Sequence, residues 1–173
     1  MRQGELYHGE GFFKVFSQCT GKMKRGENIV ANAIYGYRKN TAGTWEPDEN
    51  AAVVVRKIYE MALRGLSLSK IRDNLFEYGY PTPGEYLDLK RGKEISPKCL
   101  WATRNIRHIL TNAQYIGTYI AGKERRDVIG SKKVTKPDKS EWIMIPDRHP
   151  PIISKYAFEH IQELLSGKCS GTG

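Results

Sequence analysis

The stretch WATRNIRHILTNAQYIGTYIAG, residues 101–122, changes its period half-way along. In its first half Trp101, Ile106, Ile109 and Leu110 gather on one side at helical spacing, while Thr103, Arg104, Arg107 and His108 fall on the other. Ser96 reads as the cap of this helix and Pro97 as its first residue, and the helical pattern ends at Asn112. Beyond it, YIGTYIAG (115–122) is β-branched and aromatic with glycine interruptions. EWIMIP (141–146) alternates Trp142, Met144 and Pro146 against Ile143 and Ile145. Two short strands are predicted, pairing as an antiparallel hairpin. Its basic tip, 123–140, carries Arg125, Arg126, Lys132, Lys133, Lys136 and Lys139.

Two further helices are predicted before this stretch. The first follows Pro47, with Asp48 as N-cap, Glu49 in the first turn, Val54, Ile58, Met61 and Ala62 as its core stripe, and Gly65 as the stop. Ser67 caps the second, Leu68, Ile71 and Leu75 face inward, and Gly79 ends it before Pro81. The Gly65–Leu66 corner between them makes a helical hairpin or the opening of a helix-turn-helix. Residues 80–95, with Pro81, Pro83 and Gly84, read as a long loop of the kind that is often functional. A last helix starts at Ser154, turns Phe158, Ile161, Leu164 and Leu165 inward and stops at Gly167. The expected fold class is therefore α+β: a helix-turn-helix-like helical half, then a small antiparallel β-hairpin or sheet, then a C-terminal helix. A basic N-terminal arm or linker (1–46) precedes the domain (47–167), and a short tail (168–173) follows.

With 173 residues, 39% of them hydrophobic, the chain has enough material for one domain with an ordinary core. It contains no run of roughly 18–20 apolar residues and no leader-like start, so a soluble, cytoplasmic protein is expected. Cys19, Cys99 and Cys169 form no CxxC pair, which argues against a disulfide scaffold or a zinc knuckle. The charge is more informative. Lys and Arg number 28 against 19 Asp and Glu, a net +9, and residues 88–139 alone hold 13 basic and 5 acidic side chains. A field of that sign concentrates a polyanion on one face, which makes nucleic acid the leading partner. Lys22, Lys24 and Arg25, beside Gly21 and Gly26, suit an arm that tracks a phosphate backbone, or a plain interdomain linker.

The catalytic motifs sought are missing from the sequence. His8, His108, His149 and His160 show no HExxH or HxH spacing, and there is no P-loop, GxGxxG or GxSxG. Asp147, His149, Glu159 and His160 lie close in sequence and could hold a metal for nuclease chemistry. The first two sit in a proline-flanked turn, however, and the other two on the wet side of a helix, so neither a metal nor a cofactor is expected. The helix through Thr103, Arg104, Arg107 and His108 offers more. A helix entering a major groove must bury one side on its own domain and present hydrogen-bonding and cationic side chains on the other.

The motif order is recognisable. YGY (35–37) follows a basic arm, then come IYEMALRGLSLSKIRDNL (58–75), TP before a variable loop, WATRNIRHILTNAQYIGTYIAG (101–122) and HPPIISKYAFEHIQELL (149–165). This series resembles the DNA-binding recombinase domain of large serine recombinases. The most specific part is the spacing of Trp101, Ile106, Ile109, Leu110, Asn112, Tyr115 and Gly117.

The resemblance implies a module that docks on one half of a double-stranded attachment site in a bacterial, phage or transposon context. Lys22, Lys24, Arg25 and Arg38 would meet the backbone or minor groove, and Thr103, Arg104, Arg107 and His108 base edges or adjoining phosphates. Lys98, Lys123, Arg125 and Arg126 complete the candidate interface. It also implies that the nucleophilic serine and its arginines belong to a separate catalytic domain, that a zinc ribbon follows, and that the parent works as a dimer or tetramer. The present chain is then a non-catalytic, mainly monomeric piece. Rival readings are a helix-turn-helix transcription regulator and a small metal-dependent nuclease built around His149 and His160.

Overall fold

The computed structural model describes residues 33–95, 100–121, 138, 140 and 142–167. The class is α+β. In chain order the elements are β1 (Tyr37–Lys39), β2 (Trp45–Pro47), α1 (Glu49–Leu63), α2 (Leu68–Glu77), α3 (Pro83–Lys90), α4 (Thr103–Thr111), a 3-10 turn (Ala113–Ile116), β3 (Tyr119–Ala121), β4 (Ile143–Ile145) and α5 (Lys155–Ser166). The chain divides into two units, one of residues 32–117 and 149–173, the other of 1–31 and 118–148.

In the helical unit, α1 packs against α2, α4 and α5, and α4 also meets α2 and α5. The shared core is Val54, Val55, Ile58 and Tyr59 from α1, Ile71 and Leu75 from α2, Ile106, Ile109 and Leu110 from α4, and Ile161 from α5. Truncating a side chain as deeply buried as Ile58 typically costs about 2–5 kcal/mol. Ser67 caps α2 by accepting from the Lys70 N–H, and Ser154 caps α5 by accepting from the Ala157 N–H, as the sequence predicts. Asp48 occupies the N-cap position of α1, but its side chain makes no capping bond. Its carboxylate instead accepts from the Lys90 ammonium at 2.8 Å.

The structure departs from the sequence reading in four places, three of them in the helical unit. The supposed loop 80–95 contains α3, held by a capping box in which Thr82 Oγ1 accepts from the Glu85 N–H (3.3 Å) and Glu85 Oε2 from the Thr82 N–H (2.8 Å), with Pro83 opening the helix. None of its residues is buried, so the apolar stripe that betrays a core helix is missing. Residues 37–47, assigned largely to the arm, form the antiparallel β1–β2 hairpin with Arg38 opposite Glu46. Asn40 closes its turn by accepting from the Thr44 N–H at 3.0 Å, while Tyr37 and Trp45 are buried. The third helix starts at Thr103 and not at Pro97. Ser96 and Pro97 lie outside the described residues, but Leu100, Trp101 and Ala102 precede the helix. Trp101 is buried there, its indole N–H donating to the Tyr80 carbonyl at 3.1 Å.

The other unit contains the predicted strand pair. β3 and β4 are antiparallel, with Tyr119 opposite Ile145 and Ala121 opposite Ile143. The strand is shorter than 115–122 because Asn112 accepts from the Gln114 N–H and starts the 3-10 turn, which ends at Gly117 with φ +87°. A Cβ on Gly117 would lie 2.7 Å from the His149 carbonyl oxygen, so both backbone conformation and space require glycine.

Candidate nucleic-acid interface

Helix α4 is fastened along its inner side by Ile106, Ile109 and Leu110, all buried. Its C-terminal carbonyls, unpaired within any helix, are met from two other helices. The Tyr59 hydroxyl lies 3.2 Å from the carbonyl oxygens of both Ile109 and Leu110 and donates there, and Gln162 Nε2 donates to the Leu110 carbonyl at 2.7 Å. Burial pushes the Tyr59 hydroxyl well above its usual titration range, so it stays a donor. Just before the helix, Trp101 packs edge-on against Tyr35 with ring centroids 5.7 Å apart. Both ends of α4 are thus held by side chains distant in sequence.

The outer side carries Arg104, Asn105, Arg107, His108 and Thr111, all exposed, with Thr103 half-buried at the start. The helix contains no acidic residue. Arg38, Arg56, Arg64 and Arg72 each pair with a carboxylate, from Glu46, Glu49, Glu60 and Asp73 respectively. Among the described residues Arg104 and Arg107 pair with none. Two guanidiniums on a fixed helix can fork onto guanine edges or onto phosphate oxygens.

Of the sequence-derived candidates, Thr103, Arg104, Arg107 and His108 are brought together on α4. Arg38 stands on β1 and is engaged by Glu46 at 2.8 Å, which offsets part of its charge. Lys22, Lys24, Arg25, Lys98, Lys123, Arg125 and Arg126 lie outside the described residues. Asn105 escaped the sequence reading, although its place between Arg104 and Arg107 was a usable signal. So did a cleft of about 280 Å3 beside it, lined by Tyr35, Pro83, His108, Asn112 and others.

The residues of the alternative nuclease site have other employment. His149 is buried between the rings of Tyr37 and Trp45, with Nε2 2.7 Å from the Gln114 carbonyl oxygen. Burial holds this imidazole below its usual pKa, opposed by the bond to Gln114, so Nε2 carries the proton and donates. His160 stacks on Tyr156 along α5.

The model of the Recombinase family matches residues 49–168, and the chain belongs to this family. Two solved structures share the fold. A chain of the "Crystal Structure of a LSR-DNA Complex" matches with a TM-score of 0.56 at 19% identity, over 87% of this chain and 38% of that one. A chain from "Sequence Requirements of the Listeria innocua prophage attP site" matches with a TM-score of 0.55 at 19% identity, over 87% of this chain and 51% of that one. The present chain thus spans about two fifths to one half of the length of these proteins.

Proposed function

We propose that this chain binds double-stranded DNA sequence-specifically, as the domain of a large serine recombinase that docks on one half of an attachment site. In this reading α4 enters the major groove, Arg104, Arg107 and His108 face base edges or adjoining phosphates, and Thr103 lies at the groove's edge. The observation that carries it is the pair of arginines with no carboxylate partner among the described residues, on a helix whose inner side and ends are bound to the core. Groups so fixed can discriminate between bases, whereas cations on long loops only attract. Family membership supports the setting.

Strand cleavage and joining belong, in the same reading, to a serine catalytic domain of the parent protein, which also carries a zinc ribbon and assembles as a dimer or tetramer. The domain takes in the β1–β2 hairpin and runs to residue 167, with the residues before the hairpin as a basic approach and 168–173 as a tail. The test is selection of bound duplexes from random DNA, followed by titration of the selected site and a scrambled duplex at matched salt. A preference of about 1000-fold or more for the selected site is expected of specific binding. Equal affinities would overturn the reading. The purified chain should remain monomeric and leave a nicked site without covalent attachment on a denaturing gel.

A further inference from the structure

Asn105 lies in the first turn of α4, exposed, with its backbone N–H bonded to the Ala102 carbonyl. Its carboxamide has no hydrogen-bond partner among the described residues. Successive helical residues are rotated by about 100°, so Arg104 and His108 form the crest opposite the buried stripe, with Arg107 and Asn105 on the two shoulders. The Asn105 shoulder borders the cleft of about 280 Å3, whose far wall includes Tyr35 and Pro83. That side of the helix therefore stays open to an approaching base edge.

The chemistry of the side chain narrows what it can take. A carboxamide adds no charge, so it contributes nothing to the general attraction of phosphates. It offers an acceptor and two donors in one plane, matching the N6 donor and N7 acceptor that adenine alone presents together in the major groove. The residue is short and must come close, and the first turn of a groove-bound helix is where side chains reach bases. A helical role explains it poorly, because Asn is a weaker helix former than Ala and this one makes no capping bond.

We infer that Asn105 reads one adenine of the bound half-site, an inference that rests on the proposed placement of α4 in the major groove. On the selected site, each adenine is replaced in turn by 7-deazaadenine, which lacks the N7 acceptor, and the duplexes are titrated against the parent chain and Asn105→Ala. At one position the modified base should cost the parent on the order of 10-fold in affinity and cost the variant nothing. The variant's own affinity for the unmodified site should fall by a similar factor, while its melting temperature stays level or rises slightly. If the parent prefers a site but Asn105→Ala discriminates every adenine as the parent does, this inference alone fails. If the parent prefers no sequence, the placement of α4 fails and takes the inference with it.

Discussion

The Lys90 ammonium lies 2.8 Å from the Asp48 carboxylate and joins the end of α3 to the start of α1. Asp48 is buried while Lys90 is half exposed. Burial alone would raise the carboxyl, but hydrogen bonds from Lys90 and Tyr86 and the charge of Lys90 outweigh it and hold Asp48 below its usual range. Burial and the bond to Asp48 in turn push the Tyr86 hydroxyl up to about 12.

Lys90→Ala should destabilise the fold by about 1–2 kcal/mol, between the values for exposed and buried pairs, because it strands a buried charge. The folded carboxyl titrates below the unfolded one. The contribution is therefore full above the unfolded value and is lost as pH falls from there through the folded one. Urea midpoints of parent and variant should converge below about pH 4. A constant gap down to pH 2.5 would show that the pair contributes nothing through charge.

His149 predicts a second acid sensitivity at higher pH. Its folded pKa lies below the unfolded value, so between the two the unfolded chain binds more protons. Stability should decline as pH drops below about 6.5 and level off beneath the folded pKa. His149→Asn should be less stable than the parent at pH 8 yet show a flatter pH dependence from 8 to 5. An equally steep variant would assign the effect elsewhere.

Gly117 and Gly43 separate backbone strain from collision. Both have positive φ, but a Cβ at Gly43 meets nothing within 4 Å, whereas at Gly117 it meets the His149 carbonyl oxygen at 2.7 Å. Gly43→Ala should cost about 1 kcal/mol, and Gly117→Ala about 3 kcal/mol or more. Chemical denaturation of both variants checks the order. Equal losses would mean that the 149–151 backbone gives way freely.

On DNA, Arg107→Ala should cost about 1–3 kcal/mol on the selected site and much less on random duplex. Lys132→Ala with Lys133→Ala should weaken both alike and reduce the salt slope by at most about 2. For the parent, with about 5 phosphates neutralised, log affinity should fall against log salt with a slope of roughly −4 to −5. Titrations at several salt concentrations measure all three. A Lys132/Lys133 variant that changes the preferred sequence would relocate recognition away from α4.

Elements that bury an apolar stripe were legible in the sequence. Val54, Ile58 and Met61, then Ile71 and Leu75, then Ile106, Ile109 and Leu110 all face the core as their spacing predicts. Where local chemistry decides, periodicity was blind. Thr82 and Glu85 specify α3 through two reciprocal hydrogen bonds, a pattern present in the sequence as TPGE but obscured by its proline and glycine. The β1–β2 hairpin spans only three residues per strand, too few for alternation to register, and Trp45 is recognisable as core only once Tyr37 and His149 are seen beside it. In the candidate interface the cationic crest could be read directly, but Asn105 gained meaning from the cleft, which α4 forms with residues some 22 and 70 positions earlier, Pro83 and Tyr35.

The side-chain bonds that hold α4 have a consequence for how target choice could drift. A nine-residue helix is too short to persist alone in water, so a peptide copied from Thr103–Thr111 would carry the cationic face and no stable shape. The angle at which that face is presented is set by Tyr59, Trp101 and Gln162, none of which belongs to α4. In the proposed reading, substitutions at Gln162 on α5, which touch no residue of the cationic face, should tilt α4 and retune which bases are accepted. In that reading, selection for a new target has handles in the side chains that fasten the helix as well as on its cationic face.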